Sequence, residues 1–162
     1  MKDPKKINKE VETPDTSVEV KKNTPMKMTF EKMKELNSTY MEMCRRNEAL
    51  PNTKFGYAVE KFLKLNIISV FKEYNSLLAD IRIEHALEDP ETKAVISKPQ
   101  ATPNDRGFEY SRDGLKKVIK AENDLEKSWD AKEYDVEPYL CKEKDIPELN
   151  ETYLEVFKGY VL

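Results

Sequence analysis

Four glycines, two cysteines and one histidine in 162 residues leave several kinds of chemistry without material. The glycine-rich loops GxGxxG and GxxxxGK[ST], whose backbone amides close on phosphates, are absent. A Ser/His/Asp triad would have to use His85, the sole histidine, and no serine sits in a nucleophile elbow to go with it. Cys44 and Cys141 belong to no CxxC pair, and with a single histidine they cannot complete a four-ligand structural zinc site. Nothing suggests export, so both are read as free thiols. No apolar run approaches the ~18 residues needed to cross a bilayer, and the lysine-rich start lacks an apolar signal core. The sequence therefore predicts no membrane partner, no metal, no cofactor and no enzymatic activity.

What is present is charge and helical periodicity. Hydrophobic residues make up 38% and charged residues 36%, a mix that suits long exposed helices better than a thick globule. The formal net charge of −3 is unevenly spread. Residues 1–28 hold seven lysines and five acids, whereas residues 121–151 hold four basic and eleven acidic side chains. Neither supplies the dominant positive face that specific nucleic-acid binding requires.

The stretch 55–88 organises the rest. It contains no proline, its one glycine is Gly56, and Leu63, Ile67, Val70, Tyr74, Leu77, Ile81 and Glu84 or His85 recur at spacings of three and four. One helix over all 34 residues would be about 51 Å long at ~1.5 Å per residue, longer than a small domain is wide. It is expected to project from its core or to pack on a partner.

Residues 1–28 have three prolines, many charges and scattered aliphatics, and are read as a disordered basic arm that orders on a partner. Ser17, Val18, Glu19 and Val20 are its one candidate for adding as a short strand to another protein. Removing the arm is expected to leave stability nearly unchanged. Thr29 caps a first helix through Phe30, Met33, Leu36, Tyr40 and Met43, stopped near Ala49 and Leu50 by Pro51. Asn52 or Thr53 caps the long helix, and the short link folds the two back as an antiparallel hairpin. Residues 89–106 read as a loop with one small strand at Ala94, Val95 and Ile96, and Phe108, Glu109 and Tyr110 as a second. Ser111 or Asp113 caps a third helix, 134–140 alternates as a half-buried strand with Pro138 at a sheet edge, and Asn150 opens a short terminal helix. The fold class is α+β, mainly α: the hairpin, a third helix and a small two- or three-stranded sheet, with residues 29–162 as one domain.

The remaining clusters have plain readings. Glu84, Glu88, Asp89 and Glu91 match the spacing of no cation loop and read as a solvated helix end. Arg112, Lys116, Lys117 and Lys120 form the wet edge of an amphipathic helix. Met26, Met28, Met33, Met41 and Met43 read as core filling. Trp129, with Tyr134 and Tyr139 nearby, is an aromatic group of the kind that anchors either a core or an interface. The candidate partner-binding residues are Val18, Val20, Leu63, Ile67, Val70, Tyr74 and Trp129.

The order of elements, with Leu50-Pro51 after the first helix, Tyr57-Ala58 opening the second and Ile146-Pro147-Glu148-Leu149 after the late strand, resembles a widespread group of small bacteriophage proteins. The likeness covers roughly residues 30–162, and the proline-rich central loop is longer here. That group has no assigned catalytic residues, so no site is carried over. The resemblance implies phage origin and a non-enzymatic accessory protein. It would be made in the bacterial cytoplasm and bound in the virion to capsid, portal or tail proteins, in several copies. A small cytoplasmic protein that inhibits a host enzyme and a tail-assembly chaperone are the alternatives.

Overall fold

The computed structural model describes residues 26–100, 102 and 105–162. Strand β1 (Met26–Thr29) leads directly into helix α1 (Phe30–Arg46), and the Thr29 side chain accepts the Lys32 N–H at the helix start. A turn of 3-10 helix at Leu50–Asn52 places Pro51 in its first turn. Thr53 then caps α2 (Lys54–Asn66) by accepting the Gly56 N–H. Helices α3 (Ile68–Glu84), α4 (Arg112–Asp130, capped by Ser111) and α5 (Glu151–Phe157, capped by Asn150) follow, with strand β2 (Glu133–Val136) after α4. The mainly helical α+β class is as expected.

Three expectations need correction. Residues 55–88 do not form one helix: the chain breaks at Ile67 and ends its helical run at Glu84. The break has a tertiary cause. Asn66 Nδ2 donates to the carbonyls of Phe62 (3.1 Å) and Glu137 (2.9 Å), and its Oδ1 accepts the Glu137 N–H at 2.8 Å. A side chain that bonds its own preceding turn and a distant backbone interrupts the helical ladder. Beyond it the ladder resumes, with Phe71 N–H on Ile67 O at 3.0 Å.

The arm boundary at residue 28 also moves. Met26, Lys27 and Met28 pair antiparallel with Val136, Asp135 and Tyr134, and Met28 is buried in the core. Alternating Met-Lys-Met fits a half-buried strand, a signal too short to stand out beside the charged residues before it. The strand expected over 134–140 closes at Val136. Past Pro138, Tyr139 and Cys141 donate instead to Tyr160 O and Val161 O of the C-terminal tail.

One core joins β1, α1, α2, the first turns of α3, the last turn of α4, β2 and α5. Phe30, Phe55, Phe62 and Phe157 are its fully buried rings, and Phe55 meets Phe157 edge-on at 5.6 Å. Tyr40 ties α1 to α2 by donating to Glu60 Oε1 at 3.0 Å, and burial pushes its hydroxyl well above the ordinary tyrosine pKa. No described residue from 75 to 124 belongs to this core. The rest of α3 and most of α4 therefore run beyond it as an antiparallel two-helix arm. Tyr74 meets Trp129 at the root (ring centroids 5.4 Å), Arg82 meets Glu122 midway, and Gly114 lies against the His85 carbonyl at the far end.

A candidate docking site on the arm

The arm root is an aromatic joint. Phe30, at the start of α1, packs on Phe71 (5.7 Å), Tyr74 (4.8 Å) and Trp129 (5.3 Å). Lys132 Nζ sits 3.9 Å from the Trp129 ring centroid, within cation–π range. Lys34 bridges Glu126 and Asp130 at 2.8 and 2.7 Å. Four rings from three helices fix the direction in which the arm leaves the core.

Midway, one carboxylate holds the arm to its own loop. Glu122 Oε1 accepts Arg82 Nε at 2.8 Å, and Oε2 accepts Arg106 Nη2 and Nε at 2.7 and 2.9 Å. Burial works to raise the Glu122 pKa, but the two guanidinium groups outweigh it and hold the carboxyl below its usual range. Tyr110 donates its hydroxyl to Arg82 O at 3.0 Å.

At the far end, residues 85–98 and 105–111 are knitted by backbone bonds: Leu87 N–H to Glu109 O, Glu109 N–H to Ile96 O, and Ile96 N–H to Leu87 O. The two strands expected at 94–96 and 108–110 are reduced to the single bridges Glu88↔Val95 and Ser97↔Phe108. Asp89 closes the tip turn by accepting the Glu91 and Thr92 N–H groups, which lowers its pKa. Its acidic neighbours do not converge, and no set of metal-ligating side chains does so among the described residues. Between loop and helix lies a cleft of about 430 Å³ walled by Leu87, Lys98, Phe108, Tyr110 and Leu115.

The arm buries little of its own apolar surface. Among the described residues between 75 and 124, Val118 is the one that is buried. Ile83 stays 46% exposed and Ile119 40%, and Leu77, Leu87 and Leu115 are exposed too. Solvated aliphatics, a cleft and a loop tied back through Arg106 make the tip the candidate docking surface.

The residues proposed from the sequence lie elsewhere. Leu63, Ile67, Val70 and Trp129 are buried core residues, and Tyr74 is half-buried between Phe30 and Trp129. The helical stripe is therefore packed into the chain's own core, with Phe30 of α1 and Trp129 of α4 against Tyr74, and is not exposed for docking. Val18 and Val20 lie outside the described residues. Cys44 and Cys141 are free and half-buried. Ile83 was missed although the sequence carries a hint of it: it stands two positions past Ile81, on the side of the helix that should be polar. No family model, no curated protein and no solved structure matches the chain.

Proposed function

We propose that this chain is a non-enzymatic accessory protein of a bacteriophage particle, docking on capsid, portal or tail proteins through the outer half of its two-helix arm. The phage assignment rests on the sequence resemblance. The docking reading rests on one observation: among its described residues the arm leaves the core with a single buried residue and five exposed aliphatic side chains. An isolated helix pair with so little buried surface gains little from standing free, whereas covering those side chains with a partner returns roughly 25 cal/mol for each Å² of apolar area buried. The rigid joint at Phe30, Tyr74 and Trp129 would limit the ordering cost of that contact.

Mass spectrometry of purified particles tests the reading. It should find the chain at a fixed copy number per particle. Absence from particles, with co-purification of one bacterial protein from cells expressing the chain alone, would replace it with the host-inhibitor reading.

A further inference from the structure

Helix α2 turns outward a face that stays largely exposed in the described chain. Tyr57 and Leu65 lie on it at 56% and 55% exposure, Ile68 continues it just past the helix break, and Tyr139 touches its near end through the ring contact with Tyr57 at 6.4 Å. Leu140, Tyr57 and Leu65 are the most exposed bulky apolar side chains among the described residues. Positions 57, 61, 64 and 68 are four, three and four apart, so Lys61 and Lys64 share this face. The helix has one acid, Glu60, and it is turned toward α1, where it accepts the Tyr40 hydroxyl. Lys61 and Lys64 enter no ion pair among the described residues, while Lys54 at the end of the strip reaches Asp145 at 3.5 Å. A covering surface must therefore be apolar in part and negatively charged.

The same chain carries such a surface. Glu151, Thr152, Leu154 and Glu155 line an open depression of about 550 Å³, and Glu148 precedes it. Glu148 and Glu151 enter no ion pair among the described residues, and Glu155 has only the exposed Lys158 at 3.3 Å. Basic-apolar strip and acidic depression are complementary in charge and in content.

We propose that the outward strip of α2, Tyr57, Lys61, Lys64, Leu65 and Ile68, docks on the acidic face at Glu148, Glu151 and Leu154 of a second copy of this chain. The aliphatic and tyrosine contacts carry most of the affinity, because exposed ion pairs contribute little each. The charges set which faces meet and make the contact salt-sensitive. This surface is separate from the arm, and its failure leaves the docking role of the arm standing.

Sedimentation velocity of the purified full chain at rising concentration and at two salt concentrations tests the proposal. The chain should self-associate, and more weakly in high salt. Lys61→Glu/Lys64→Glu and Glu148→Lys/Glu151→Lys should each weaken association on the order of tenfold or more with helix content unchanged. Mixing the two variants should restore association, since each retains the half the other lacks. Should the lysine-to-glutamate variant lose helix content, Lys61→Gln/Lys64→Gln carries the same prediction. A chain that stays monomeric, variants that associate like the parent, or a mixture that does not recover would each overturn it. A monomer that instead binds vesicles containing phosphatidylserine through Lys61 and Lys64 would assign the strip to a lipid surface and overturn it as well.

Discussion

Asn66 decides where a helix of uniform periodicity breaks. Its amide bonds Glu137 in both directions and Phe62 behind it, so it does the work of a strand neighbour from within a helix. Asn66→Ala should cost about 1–2 kcal/mol, the usual loss for half-exposed side-chain hydrogen bonds, read as a shift of the urea midpoint. Gly56 is a second fixed point. A Cβ there would meet the Leu50 carbonyl and the Pro51 backbone, neither of which can move without opening the turn. Gly56→Ala should therefore destabilise, although alanine is the better helix former by about 1 kcal/mol in an open position. Glu122 gives a pH signature. Its pKa is depressed in the folded chain, so its contribution is full above the unfolded value, near 4.5, and is lost as pH falls through the lower folded value. Glu122→Gln should remove that part of the acid dependence and loosen residues 105–110, measurable by hydrogen exchange at neutral pH.

Two elements divide the labour. Short β1 carries more than its length suggests, because Met28 enters the core and Phe30 follows at once into the aromatic joint. Deleting residues 1–28 would remove β1 and should cost several kcal/mol, on the scale of losing one large core side chain. That reverses the expectation that the whole leader is dispensable for stability. The arm is the opposite case, long but thinly packed. Amides of the arm beyond its root, 75–84 and 112–124, should exchange faster than those of α1 and α2, with opening below the global free energy. Val118→Ala should widen that gap. Equal protection throughout would mean that the arm is an integral part of the core.

Across the whole molecule, much of the plan was legible. Thr29 and Asn150, and one of each pair Asn52/Thr53 and Ser111/Asp113, marked four helix starts, because a side-chain oxygen at that position has a local job that any fold preserves; the structure selects Thr53 and Ser111. The break at Ile67 was not legible, since its cause lies 71 residues away at Glu137. Nor was the fate of the stripe at Leu63, Ile67, Val70 and Tyr74. Periodicity shows that a face is apolar but not whether a partner or the same chain covers it, and here the chain's own core does. The candidate site emerged only from what remained uncovered, the tip around Ile83 and Ile119.

On the proposed reading the arm is the part of the molecule that meets a partner, and replacing its exposed aliphatics tests this most directly. The copy number of Ile83→Lys/Ile119→Lys in purified particles should be compared with that of the unaltered chain. Both substitutions fall on solvated positions, so the melting temperature should hold while incorporation drops on the order of tenfold or more. An unchanged copy number would contradict the account, because the particle would then be gripping some other face.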